Sequence, residues 1–514
     1  SGLPTVTVTD AAHECITGDY VTFSGASAVG GLTISGEYAV TVLTASTYTI
    51  TASSNATSTA TGGGTVTAAY QLNIGPAVQV PLEGWGVGTW SSGSWGQGQI
   101  APAAFASIRT WSQSNFGNDL VFAYNGGPLC YWTFDNTFTT RGVLVNELAG
   151  ATEVPIYAGL VLVSDTSRFV LVFGTNELYD TAYDAMLVRW SDQESVTNWA
   201  PAATNQSGSI RLSSGSKIMA RLQTRQEVLV WTDTALYSMQ YIGPPFVWST
   251  TLLADNISIL SSNVAVTVSG MTFWMGDGKF YKYDGRVQPL RCDLRQYIFQ
   301  DLNREQHMQC FGGSNESFNE VWWFYCSASS DVIDKYVVYN YAEDIWYYGT
   351  MGRTAWLDAG INETPIAATY ANNIVNHETG VDDNTTDTPA PIEAFISSSE
   401  FDIGDGHNFG FVWRLIPDVT FRGSTAASPA CVMTLLPLQN SGSGYNDPTS
   451  EGGVNYAAVA RSATVPIEQF TGQVYIRVRG RQMSFKMYQS QIDATWQLGA
   501  PRIDIKQDGR RGNT

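Results

Sequence analysis

Five runs of apolar and aromatic residues recur through the middle of the chain at a near-regular interval. They are Leu120-Val121-Phe122-Ala123-Tyr124, Val170-Leu171-Val172-Phe173, Val228-Leu229-Val230-Trp231, Thr272-Phe273-Trp274-Met275 and Val321-Trp322-Trp323-Phe324-Tyr325. Between Val121, Leu171, Leu229, Phe273 and Trp322 the steps are 50, 58, 44 and 49 residues. Each run is followed by a second strand with an aromatic stripe: Leu129–Trp132, Met186–Trp190, Leu236–Met239, Phe280–Tyr283 and Tyr336–Tyr339. Several strands per period of about 40–50 residues point to radial repetition, a β-propeller. Inner strands of a propeller are covered on both faces by neighbouring blades, so they read as apolar runs rather than clean alternation. Turn residues such as Met275-Gly276-Asp277-Gly278-Lys279 fit the hairpins between them. The alternative is a large sandwich with irregular spacing. Either way the chain is all-β.

The flanks divide the chain further. Residues 1–72 are rich in Thr, Ala, Gly, Ser and Val, with alternating runs at Tyr20–Phe23, Tyr38–Val42 and Tyr48–Thr51. Period-2 alternation bounded by glycine predicts short strands of a small barrel or sandwich. The glycines at 62–64 precede neither GK[ST] nor a helix pattern, so they read as a loop and not a phosphate cradle. The N-terminus lacks Met and a signal-peptide pattern, which points to processing or an upstream segment. Residues 73–375 hold the propeller blades. Trp85, Trp90 and Trp95 lie there among glycines, as loop anchors or as a stacking platform. Leu290–Met308 is a short helix or loop excursion between blades, with Leu294, Ile298 and Leu302 at four-residue spacing. Its Arg291, Arg295 and Arg304 are solvated charges, or contacts to a partner or DNA. Residues 376–392 form an exposed linker or loop. Glu378, Asp382, Asp383 and Asp387 there supply oxygen ligands of the kind Ca²⁺ takes, without the DxDxDG spacing. Residues 393–514 return to long strands, as a C-terminal β-rich region that serves as a last blade or a docking domain.

Composition excludes several functions. With 46 Asp+Glu against 27 Lys+Arg, the net charge of −19 argues against a freestanding nucleic-acid binder that grips phosphates, since that affinity comes from basic patches. No run approaches the 18 apolar residues of a membrane-spanning helix, so no stable membrane association is expected. The six cysteines are scattered without a CxxC pair and read as free, buried thiols. The four histidines are equally dispersed. No GxSxG elbow, Walker loop or dinucleotide fingerprint occurs, so no catalytic residue, metal or cofactor is assigned. The segment Trp190-Ser191-Asp192-Gln193-Glu194-Ser195-Val196-Thr197-Asn198-Trp199 ends like the Asp-box of propeller sialidases but lacks its glycine and spacing. It predicts a blade corner, with Asp192 capping a turn pinned by Trp190 and Trp199. The candidate site lies at the C-terminus, where Arg477, Arg479, Arg481, Arg502, Arg510 and Arg511 gather in an otherwise acidic chain. Such a local basic surface predicts docking to an acidic partner; the alternative is ordinary strand charge facing water.

Two resemblances add to this reading. Gly18-Asp19-Tyr20-Val21-Thr22-Phe23-Ser24-Gly25, Gly31-Leu32, Gly36-Glu37-Tyr38 and Tyr48-Thr49-Ile50 resemble a small β-barrel module inserted in phage tail proteins. A similar module sits in ubiquitin-activating enzymes, but no adenylation domain accompanies it here. The second spans most of 115–511. Trp190-Ser191-Asp192-Gln193 with Trp199-Ala200-Pro201 looks like a blade of the tail hub or nozzle proteins of short-tailed bacteriophages, which include the packaged-DNA stabilisation proteins. Met275–Gly285, Asn319–Phe324, Tyr339–Trp346, Val478–Ser484, Trp496–Ile505 and Asp508–Arg511 extend the likeness. It implies a virion protein of the phage tail. Six copies would form a ring below portal and adaptor, retain packaged double-stranded DNA without sequence specificity, and anchor tail fibres or spikes. An acidic lumen would suit that task, because it repels the DNA backbone and lets it slide. The competing expectation is a tail-associated propeller that binds or degrades glycans.

Overall fold

The computed structural model describes residues 2–71 except 12, 14 and 16, then 76, 78–79, 108–135, 140–165, 167–386, 388–402, 408–438 and 462–510. It is an all-β protein: a propeller with a small N-terminal barrel module and a C-terminal β-rich domain. The chain divides into two compact units. One comprises residues 1–314 and 319–351, the other 315–318 and 352–514. The anticipated linker at 376–392 thus falls inside the second unit, where Asp382–Asp383 pairs with Ala390–Pro391.

In the first unit, residues 5–70 form two three-stranded antiparallel sheets closing over Val21, Phe23, Val40, Tyr48 and Ile50. Five four-stranded antiparallel sheets follow, each a contiguous meander. Blade 1 uses Trp111–Phe116, Asp119–Tyr124, Cys130–Trp132 and Val143–Leu144. Blade 2 uses Leu160–Val163, Val170–Asn176, Tyr183–Trp190 and Gly208–Arg211. Blade 3 uses Ile218–Gln223, Val228–Thr232, Ala235–Gly243 and Val247–Asp255. Blade 4 uses Val266–Val268, Met271–Met275, Phe280–Tyr283 and Val287–Leu290, and blade 5 uses Phe311–Asn315, Glu320–Tyr325, Lys335–Asn340 and Ile345–Thr350. The apolar runs read from sequence as first and second strands are the second and third strands of each blade. The true first strands of blades 1, 2 and 3 touch one another; some are too polar or glycine-rich to stand out, as Phe311-Gly312-Gly313-Ser314-Asn315 shows, whereas Leu160–Val163 is apolar throughout.

Blade-on-blade burial holds the ring. One buried cluster joins blades 1 and 2 through Val121, Ala123, Val161 and Val172. A second joins blades 2 and 3 through Phe173, Val188, Val230 and Tyr237. A third runs through blades 3, 4 and 5 and includes Trp231, Trp274, Trp323 and Val337. At about 25 cal/mol per Å² of apolar surface, such interfaces dominate the stability of the ring. A polar stitch accompanies them. Arg221 of blade 3 donates to the Val161 carbonyl at 2.9 Å and the Ser112 hydroxyl at 3.0 Å, tying blades 1, 2 and 3. Burial lowers that guanidinium to about 10.

The seam between blade 5 and blade 1 is made differently. Gln306, just ahead of blade 5, is buried. Its side-chain carbonyl accepts from the Gln79 N–H at 2.8 Å, and its amide donates to the Gln79 carbonyl at 2.9 Å. The Gln79 side chain in turn accepts from the Ile108 N–H at 3.1 Å, three residues before blade 1. Among the described residues, a glutamine clasp and not a shared strand bridges the two ends of the meander.

The excursion between blades 4 and 5 is a helix at Arg295–Asp301 with Ile298 buried. Its arginines serve the protein itself: Arg304 pairs with Asp277, Arg291 with Asp293, and Arg295 donates to the Gly278 carbonyl. Asp192 does cap its corner, accepting from the N–H groups of Gln193 (2.9 Å) and Gln206 (2.8 Å). Trp190 and Trp199 pin that corner through bonds to the Gln206 and Val196 carbonyls. All six cysteines are free, five of them buried. Among the described residues no helix is long and apolar enough to cross a membrane. Trp85, Trp90 and Trp95 lie outside the described residues.

The second unit opens with a three-stranded sheet, Ala355–Leu357, Ile366–Ala368 and Ile374–Asn376. Beyond it, two sheets face each other across Val412, Leu415, Met433, Leu435, Ile476, Val478, Met483 and Met487. One sheet has the order Ala394–Ser397, Gln482–Gln489, Ala430–Leu438, Ala463–Glu468. The other has Asn408–Ile416 between Val474–Gly480 and Arg502–Arg510. The C-terminal region is therefore a β-sandwich, not a last blade.

A partly buried imidazole gives this unit a pH signature. Arg353 donates from Nε to His377 Nε2 at 3.1 Å, so His377 must be neutral to accept. Burial, then the Arg353 charge, lowers His377 from 6.5 to about 4. A histidine lowered on folding binds fewer protons than in the unfolded chain, so its contribution is complete above pH 6.5 and is lost as pH falls towards 4. Between pH 7 and pH 5 the loss is about 2 kcal/mol. Thermal melts at the two pH values will show it in the native chain, and His377→Gln will flatten the difference. An unchanged difference in that variant would contradict the assignment.

Candidate partner-docking surface

The basic C-terminal residues converge on the outer face of the three-stranded sheet. Along Val474–Gly480 burial alternates strictly, so Ile476 and Val478 enter the core while Tyr475, Arg477 and Arg479 stand outside. The central strand pairs Phe411 with Arg479 on one side and Lys506 on the other. A bulge between Val412 and Arg414 shifts the register, and Val412 and Leu415 stay in the core on either side of it. One extra residue in a strand re-aims its neighbours, and Trp413 and Arg414 both reach the outer face. From the third strand, Asp504 and Lys506 face Arg414 and Phe411, and Arg502 faces Ile416.

The result is an aromatic stripe threaded with cations. Trp413 and Tyr475 stack with ring centres 6.3 Å apart and planes inclined by 28°. Arg414 lies 5.0 Å and Lys506 5.2 Å from the Trp413 ring centre, and Arg479 lies 4.3 Å from that of Phe409. Two carboxylates hold cations in place: Asp504 pairs with Arg414 at 2.5 Å and Asp508 with Arg479 at 2.7 Å. Both pairs are a third to a half exposed, so each adds well under 1 kcal/mol and serves mainly to orient the guanidinium. Arg477 and Arg502 are exposed, and among the described residues neither has an acidic partner. The Tyr475 side of the stripe is open, with 66 % of that residue accessible.

The six sequence-chosen arginines do not form one cluster. Arg477, Arg479 and Arg502 share this face. Arg481 sits in the turn after the first strand, with its N–H bonded to the Leu438 carbonyl. Arg510 is at the end of the third strand opposite Asn408. Arg511 lies outside the described residues. What sequence reasoning missed is the contribution of 409–414, a strand some 60 residues upstream. Its signal is the alternation Phe409-x-Phe411-x-Trp413, matching Tyr475-x-Arg477-x-Arg479.

The acidic residues of 376–392 are not a common cage. Glu378 accepts from Asn315, Asp382 from the Asp493 N–H, and Asp383 from Thr385. Asp387 lies outside the described residues, and among the described residues no group of three or more metal-ligating side chains assembles.

No protein-family model and no curated protein matches the sequence. Among solved structures, Kluyveromyces lactis Hsv2p is similar at 9% identity over 51% of this chain and 71% of its own, with a TM-score of 0.28. The AfRom2 CNH domain is similar at 10% identity over 55% of this chain and 84% of its own, with a TM-score of 0.30. A chain of the S. cerevisiae Dbp5 complex with Nup159, Gle1, IP6 and ADP is similar at 11% identity over 55% and 80%, with a TM-score of 0.31. At such scores the fold rests on the chain's own strand order.

Proposed function

We propose that this chain is a structural protein of a short-tailed phage tail, a hub or nozzle subunit without catalytic chemistry. The observation that carries the reading is the order of modules: a small β-barrel, a contiguous propeller and a β-sandwich, in a chain whose blade and C-terminal motifs resemble that family. Several copies, six in the family pattern, would ring the DNA path below portal and adaptor. The acidic balance of the chain suits a passage that repels the backbone of double-stranded DNA. Fibres or spikes would attach to the outside, in the assembled virion. Buried glutamine, arginine and tryptophan contacts between blades give the stiffness such a part requires.

Light scattering of the full chain alone and with the cognate adaptor and portal tests this, together with mass spectrometry of purified particles. The expected result is a closed oligomer on the adaptor and a fixed copy number in virions. A monomer that never joins adaptor or particle would overturn the reading. Release of reducing sugar from host envelopes, abolished by one carboxylate substitution, would replace it with glycan degradation.

A further inference from the structure

We infer that the outer face of the sheet formed by Val474–Gly480, Asn408–Ile416 and Arg502–Arg510 binds single-stranded nucleic acid, whether or not the chain forms a tail ring. The chemistry of the face favours this occupant over an acidic protein. An acidic protein surface needs cations only. Here the cations are interleaved with rings: Tyr475 stacks on Trp413, and Phe411 and Phe409 continue the stripe along the central strand. Single strands are held by this combination, bases on aromatic faces and phosphates on a basic track. Tyr475, Arg477 and Arg479 follow one another on the same face of one strand, at about 7 Å per step. That is about the span of an extended nucleotide, so one ring and two guanidinium groups address successive units of a strand.

Charge complementarity points the same way. The face carries Arg414, Arg477, Arg479, Arg502 and Lys506 against Asp504 and Asp508. It is a positive patch of net three on a chain of net −19. A polyanion is thereby attracted to this face. The two ion pairs and the three cation–ring contacts hold Arg414, Arg479 and Lys506 close to the sheet, so little side-chain freedom is lost on binding. A duplex keeps its bases stacked inside, where Tyr475 cannot reach them. The preference is therefore for unpaired strands, without base specificity.

Fluorescence anisotropy of a labelled 20-nucleotide oligo-dT with the full chain, between 50 and 200 mM salt, tests the inference. Three net phosphate contacts on a single strand give a slope of log K against log salt of about −2. Tyr475→Ala removes a stacking ring and weakens binding about ten-fold with the slope unchanged. Arg477→Gln makes the slope shallower by about 0.7. Both residues are exposed and outside the core, and an unchanged thermal melt will show that the variants fold. Three results would overturn the inference: no binding of oligo-dT at 50 mM salt, equal binding of a duplex with Tyr475→Ala neutral, or displacement by poly-glutamate at equal charge concentration. The last would assign the face to an acidic protein. None of the three bears on whether the chain assembles on an adaptor.

Discussion

Trp323→Ala is expected to destabilise the propeller by about 4–5 kcal/mol, the upper range for deleting a buried tryptophan. The residue is fully buried in blade 5, with the Phe280 ring of blade 4 at 5.0 Å and the Trp346 ring at 5.9 Å. Its indole N–H donates at 2.9 Å to the Val264 carbonyl, in the segment leading into blade 4. One side chain thus fills the gap between two blades and satisfies a backbone acceptor there. The two roles separate by substitution. Trp323→Phe keeps most of the volume but leaves the Val264 carbonyl without its donor, at a cost of about 1–3 kcal/mol. Urea unfolding of the two variants will measure the difference. Equal losses would mean that the hydrogen bond, not the volume, holds the interface.

Gln306→Ala is the second large effect, at about 2–4 kcal/mol. The substitution removes both bonds of the clasp and strands the N–H and carbonyl of Gln79. Gln306 also accepts from the Gln309 amide at 2.7 Å, so the turn ahead of blade 5 loosens with it. Gln306→Glu will cost a similar amount, because a second oxygen then confronts the Gln79 carbonyl. Hydrogen exchange should report the damage locally. Amides of blades 1 and 5 will lose protection first, while the blade 2–3 interface keeps its own. A uniform loss of protection, or none, would show that the seam is held by something other than the clasp.

How much of this was legible in the sequence follows from burial. In blades 2 to 5 the second and third strands are largely covered on both faces, so Val170–Phe173 or Val321–Tyr325 could hardly be polar, and their spacing disclosed the repeat. First strands such as Trp111-Ser112-Gln113-Ser114-Asn115-Phe116 use hydroxyls for inter-blade bonds and alternate too weakly to be seen. Fourth strands such as Val143–Leu144 and Gly208–Arg211 are short or exposed and leave little trace. The corner at Asp192 was readable because its donors are nearby in sequence. The docking face was half readable. Its arginines are neighbours on one strand, but its rings come from another, and only sheet order and a bulge bring Trp413 beside Tyr475.

The glutamine clasp also sets the order of events when the chain folds. Every blade is a local meander, complete as soon as its own strands have left the ribosome. The clasp instead joins residues 227 positions apart. Loop closure of that length comes late, after shorter contacts have formed. During synthesis, blade 1 must therefore wait with its seam face uncovered until the segment before blade 5 emerges. A nascent chain stalled before Gln306 would hold four finished blades and an open ring, and that intermediate is the one most exposed to mispairing.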